Sequence, residues 1–282
     1  MQVGQPSRTA LAAATHRAAH QVLEQGRIFN DPLALRILGQ DAEMIAREAQ
    51  EHPSRTRMRL FIAVRTRFAE DALAAAMGQG VRQLVALGAG LDTYAYRGPF
   101  RDRIRIFEVD HPATQAWKRQ LLDAAGIWPP ESLTFAPIDF EHQTIAGGLA
   151  EVGFDSAQQT FFIWLGVVPY LTRDAVWSTL DFIASLPKGA HVVFDYSNPP
   201  DTLSPESRMS HDIRAERVAS IGEPWVSYFE PYELRTTLME LGFSEIEDLG
   251  PPQISERYFP ARSTRPPEKG GHIVRASTTP SQ

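Results

Sequence analysis

The sequence predicts an α/β fold: a mostly parallel, doubly wound sheet preceded by a helical block. Three observations predict it. The first 78 residues contain helical patterns and no strand candidate. From Val81 onward short apolar runs alternate with helical segments, as in sheets whose parallel strands are joined by crossovers. The first such run, Leu84-Val85-Ala86-Leu87, stops at Gly88-Ala89-Gly90, and a second, Ile104–Val109, leads into Asp110 about 20 residues later.

The elements follow in order. Ser7 to Glu24 is alanine-rich, with Leu11, Ala14, Ala18 and Val22 at helical spacing. Asn30-Asp31-Pro32 reads as a helix start, with Asp31 as N-cap and Pro32 in the first turn. Leu60, Val64, Phe68 and Leu73 mark a helix that ends near Gly78 and Gly80. Further strands are expected at Leu133–Ala136, Thr160–Trp164 and His191–Tyr196, a late one at Ser244–Leu249, and an edge strand at His272–Arg275. Pro112 opens a helix that Gly126 closes, and Thr172 caps another. Ser197 to Phe229 holds four prolines and alternates weakly, so it reads as an insertion or lid. The expected organisation is a helical cap over 1–78, a core over 79–275 with the insertion at 197–229, and a frayed tail over 276–282.

A strand, a glycine turn, a second strand and an acid at its end form half of a nucleotide site. Glycine at 88 and 90 lets backbone approach a ligand, and Asp110 offers oxygens to ribose hydroxyls. The dinucleotide pattern has a third glycine where this chain has Thr93, and it has no place for Asp92 beside a pyrophosphate. A carboxylate there suits a cation, which favours S-adenosylmethionine over NAD.

Bulk properties fit a soluble enzyme. The 282 residues carry a net charge of −6, which gives no electrostatic case for a nucleic-acid partner. There are no cysteines, so disulfides, thiolate nucleophiles and zinc–thiolate sites are excluded together. His16, His20, His142 and His211 show no ligand spacing in company with acids, so no metal is expected. No apolar stretch approaches the roughly 20 residues of a membrane helix, and the N-terminus lacks a signal-peptide core. A cytoplasmic location is expected.

LGAGLDTYAYR at 87–97, FEVDHP at 107–112, Asp139 after a third strand and VVPYLT at 167–172 together resemble the leucine carboxyl methyltransferase-like family, over nearly the whole chain. The resemblance implies a class I methyltransferase fold: a Rossmann-like sheet of seven strands, the last antiparallel, under an N-terminal helical cap. It implies S-adenosyl-L-methionine as cofactor and O-methylation of a small-molecule acceptor. By the same resemblance Gly88, with Ala89 and Gly90, meets the cofactor's methionine portion, and Asp110 binds ribose. Asp139 and Phe140 contact adenine, Arg65 holds the methionine carboxylate, and Arg17 lies where the N-terminal segment closes over the site. Many relatives carry a glutamate where this chain has Leu165. Its loss removes a charge-assisted contact of about 1.5–3 kcal/mol to the methionine amino group, for which Asp92 is the candidate substitute.

Plainer roles stand beside these. Asp110 precedes a proline-started helix and could serve as its N-cap, and Asp139 could cap a turn. Arg65 lies among Arg55, Arg57, Arg59 and Arg67, a pattern that a solvated face also produces. For the acceptor, candidates for a base are His211, Tyr228 and Tyr196, with Met209, Trp225 and Phe229 as apolar walls, because ligands meet such sheets at the carboxyl ends of their strands. Two alternatives remain at this stage: an NAD-binding oxidoreductase and a non-catalytic methyltransferase-like binding protein.

Overall fold

The computed structural model describes residues 6–139, 142–261 and 265–279. The helical block contains α1 (Arg8–Leu23), α2 (Ala34–Leu38), α3 (Ala42–Glu51) and α4 (Thr56–Gly78). Ser7 Oγ accepts from the Ala10 amide to start α1, and Asp41 does the same for α3 at Met44. The sheet and its crossovers follow as β1 (Gln83–Leu87), α5 (Tyr94–Arg97), β2 (Arg105–Asp110), α6 (Pro112–Ala124), β3 (Leu133–Pro137), α7 (Ile145–Glu151) and β4 (Thr160–Trp164). The second half comprises α8 (Arg173–Ala184), β5 (Ala190–Ser197), α9 (Pro205–Ser220), α10 (Pro231–Glu240), β6 (Glu245–Leu249), α11 (Pro251–Tyr258) and β7 (Gly271–Ser277).

The seven strands lie in the order β3-β2-β1-β4-β5-β7-β6. β1 pairs in parallel with β2 and β4, β3 with β2, and β5 with β4, while β7 runs antiparallel to both β5 and β6. Each face buries its own core, which explains why the strands read as apolar runs and not as alternating patterns. On one face Val64, Phe68 and Leu73 of α4 meet Leu84, Ile106, Phe161 and Val193. On the other, Leu149, Val176, Leu180, Leu234 and Leu238 meet Val85, Phe107, Phe162 and Phe194.

Three expectations change. β7 is an interior strand with β6 as the edge, because Ile273 and Val274 are fully buried on opposite faces and both neighbours supply ladder bonds. The segment after β5 contains the 16-residue helix α9, capped by Ser204 and opened by Pro205. Its apolar pattern is weak for a physical reason: of its residues only His211 is buried. Finally, Asp31 does not cap α2, which begins at Ala34. Its Oδ1 accepts from the Leu33 amide in a local turn, and the side chain is buried against Arg17 and Arg97 at 3.4 and 3.3 Å.

Candidate active site

The site is built where β1, β2 and β4 end side by side. Gly88 and Gly90 both take left-handed backbone, with φ of +63° and +46°, and so turn the chain sharply after β1. The Ala89 amide donates to the Val109 carbonyl, which ties this turn to β2. At the end of β2 the Asp110 carboxylate accepts from the Gly90 amide at 2.6 Å through Oδ2 and from the His111 amide at 2.7 Å through Oδ1. Burial raises its pKa, against the pull of these two amides. His111, and not Asp110, caps α6, accepting from the Ala113 amide. The Ile138 amide donates to the Asp110 carbonyl and so brings Asp139 beside the end of β2. The Asp139 amide donates to Gln143 Oε1 at 3.1 Å. Phe140 lies outside the described residues.

Arg65 reaches the same end of the sheet from α4. Its Nη1 donates to Asp195 Oδ2 at 2.8 Å, and Asp195 Oδ1 accepts from the Gly166 amide at 2.6 Å. The guanidinium therefore lies across the turn that follows Leu165. Arg65 Nε is buried and has no hydrogen-bond partner among the described residues. An unbonded guanidinium donor in a half-dry site suits a carboxylate. Leu165 is half-buried and packs on the α4-side core, and Val167 lies against Gly88.

Asp92 accepts from the Tyr94 amide in a local turn just before α5. Burial opposes its charge, but Arg17, Arg97 and Lys118 outweigh that and hold its carboxyl below the usual range. Beneath the turn, Thr93 Oγ1 donates to Asp31 Oδ2 at 2.7 Å, and Arg97 Nε donates to Thr93. Thr93 is thus a structural link in a buried network.

Helix α1 roofs the turn. Ala10 comes so close to Gly90 that a Cβ there would lie 3.0 Å from it. Arg17 is buried and donates to the Leu91 carbonyl. The roof is held by Glu223, whose carboxylate accepts from the Arg8 amide at 2.8 Å, the Thr9 amide at 3.2 Å and the Ser7 and Thr9 hydroxyls.

The acceptor candidates separate. His211 and Tyr228 come together, with Nε2 and Oη 3.0 Å apart. Trp225 lies 5.5 Å from the His211 ring. Tyr196 is buried elsewhere, donating to Asp248 Oδ2 at 2.7 Å and stacking on His272. Phe229 is fully buried in the core and Met209 is exposed. Sequence reasoning missed Asp195 and Glu223. Asp195 had a signal, a lone charge near the end of an apolar strand, whereas Glu223 had none.

A parallel sheet of this order, closed by an antiparallel seventh strand and fronted by a glycine turn facing an acid, has the architecture of class I methyltransferases. Among solved structures, a provisionally named methyltransferase from Thermobifida fusca shares this fold, with a TM-score of 0.58, 16% identity and 99% and 97% of the two chains covered. The family profile of leucine carboxyl methyltransferase matches residues 10–184, and the chain belongs to that family. YktD of Bacillus subtilis (strain 168), provisionally named an S-adenosyl-L-methionine-dependent methyltransferase, is 32% identical over 247 residues, spanning 86% of this chain and 78% of YktD. A Frankia alni protein with the same provisional assignment, FRAAL3718, is 35% identical over 185 residues, or 63% of this chain and 64% of that protein. This chain is an S-adenosylmethionine-dependent methyltransferase, and the NAD alternative falls. No helix among the described residues is long and apolar enough to cross a membrane.

Proposed function

We propose that this chain is an O-methyltransferase acting on the carboxylate or hydroxyl of a small molecule. The observation that carries the small-molecule reading is the roof: α1 lies on the glycine turn and is fastened by Glu223, and a covered turn suits a small acceptor better than a polymer. The family's description supports oxygen as the acceptor atom, since it names carboxyl methylation.

In this reading Gly88, Ala89 and Gly90 border the methionine and ribose. Asp110 keeps lone pairs on both oxygens for ribose hydroxyls, and Asp139 faces the adenine amine. Arg65 Nε receives the methionine carboxylate, and Asp195 holds the guanidinium in place. Leu165 leaves the methionine ammonium without a β4 carboxylate, and Asp92 is the candidate to offset its charge. When bound, S-adenosylmethionine supplies a methyl carbon already activated by a sulfonium. The protein's part is then orientation and exclusion of water, because charge is dispersed and not created in the transition state.

Isothermal titration with S-adenosylmethionine tests the pose. Binding is expected in the wild type, and Asp110→Ala and Arg65→Ala should each weaken it at least tenfold. Unaltered affinity in both variants rejects the assigned residues.

A further inference from the structure

Helix α9 buries one side chain, His211, and that side chain is fully engaged. Its Nδ1 lies 2.9 Å from Asp212 Oδ1 and its Nε2 lies 3.0 Å from Tyr228 Oη. A carboxylate only accepts, so Nδ1 carries the proton and Nε2 is left to accept from the Tyr228 hydroxyl. The tyrosine oxygen then keeps lone pairs for a further donor. Asp212 is itself held by Arg208 at 3.0 Å, and Arg173 Nη1 donates to the Tyr228 carbonyl at 2.8 Å.

The location of this array joins it to the site. The amides of Val226 and Ser227 donate to the Pro169 carbonyl, so the Tyr228 segment lies along the turn after Gly166 and Val167. Ser227 and Phe229 point into the protein, which turns Tyr228 toward α9. Tyr170, on the same turn, has its hydroxyl within reach of Trp225 and Thr9 and feels the charge of Arg65. Trp225 in turn packs beside His211. Trp225 thus links His211 to Tyr170, on the turn that follows β4.

Resting on the methyltransferase reading above, we infer that Tyr228 is the group that takes the proton from a hydroxyl acceptor, with His211 and Asp212 as positioning residues behind it. The acceptor O–H passes its proton to Tyr228 Oη while the tyrosine's own proton moves to His211 Nε2. The acceptor oxygen bonds the methyl carbon as the carbon–sulfur bond breaks, its electron pair going to sulfur. The His211 imidazolium, next to the Asp212 carboxylate, then returns its extra proton to solvent. A carboxylate acceptor has no proton to give and would leave this array idle. The acceptor class that fits is therefore a phenol or alcohol. Burial raises the Tyr228 pKa, which keeps the phenol neutral until the transfer.

Two measurements decide it. In protein labelled with 15N-histidine, nitrogen NMR should show His211 protonated at Nδ1 and bare at Nε2. A proton on Nε2 overturns the inference without any acceptor in hand. Matched pairs such as 2-naphthol with 2-naphthoic acid, and catechol with benzoic acid, are then offered with methyl-labelled S-adenosylmethionine. Label is expected in hydroxyl members. Tyr228→Phe should lower kcat about 100-fold or more with both KM values little changed, the size of a lost general base. His211→Gln should lower kcat in the same proportion with KM little changed. Label confined to the acids overturns the inference, as does a Tyr228→Phe effect limited to KM and melting temperature, which would mark a lid anchor. Calorimetry keeps the two readings apart. A wild type that does not bind S-adenosylmethionine defeats the cofactor pose, while the histidine tautomer still judges the array.

Discussion

Arg65 and Asp195 are 130 positions apart in the chain and 2.8 Å apart in space, and Asp195 fixes the Gly166 amide with its second oxygen. One carboxylate thus holds both the arginine and the turn after β4. Replacing it by alanine leaves a largely buried guanidinium without its partner, a loss of about 3 kcal/mol. Asp195→Ala should therefore unfold at lower urea and bind S-adenosylmethionine more weakly. Asp195→Asn, which keeps an oxygen for Gly166, should recover most of the stability and less of the affinity. Equal recovery of both would mean that Asp195 supports the turn alone.

Gly166 offers an independent test of the same arrangement. Its φ is +71°, and a Cβ would stand 2.6 Å from Arg65 Nη2. Gly166→Ala must strain the backbone by about 1–2 kcal/mol and push the guanidinium aside. Cofactor affinity should fall at least tenfold while the far-ultraviolet circular dichroism stays native. Undiminished affinity would show that Arg65 does not have to lie across this turn.

The nucleotide half was legible in the sequence because its signals are local. An apolar run ending in Gly88-Ala89-Gly90, and a second run ending in Asp110, are patterns within a few residues. Asp31 shows the limit. Its local neighbours suggest a cap, but its partners Arg17, Thr93 and Arg97 come from remote segments, and no spacing rule records such a pairing. Helix α9 escaped because periodicity reports burial, and this helix buries only His211. The run His272–Arg275 reads as an edge because it is the last strand candidate, whereas the place of β7 between β5 and β6 is set by chain topology.

Glu108 and Lys118 form a buried pair under β2, 2.7 Å apart. Burial pushes Glu108 up from 4.5 to about 7 against the pull of Lys118. Between those values the folded protein holds a proton that the unfolded chain has released. Its contribution to stability therefore falls as pH rises through this window, by at most about 3 kcal/mol. Urea titrations at pH 5 and pH 8 should show Glu108→Gln losing less stability over that interval than the wild type. An identical slope in both proteins would mean that Lys118 keeps Glu108 ionised throughout.

His16 titrates with the opposite sign. Burial, and then the charges of Arg55, Arg59, Arg65 and Arg217, lower its pKa from 6.5 to about 4. The unfolded chain takes up a proton below 6.5 that the folded protein refuses until about 4. The contribution of neutral His16 is present in full above 6.5 and is lost as pH falls through this window, again by at most about 3 kcal/mol. His16→Gln should therefore gain stability relative to the wild type at pH 4.5 and not at pH 7. The windows of His16 and Glu108 overlap with opposite slopes, so the wild-type curve shows only their difference. Each single variant should uncover the other group's slope, Glu108→Gln giving a steeper acid loss and His16→Gln a steeper decline toward neutral pH. Parallel curves for the two variants would show that neither group carries the shift that its surroundings impose.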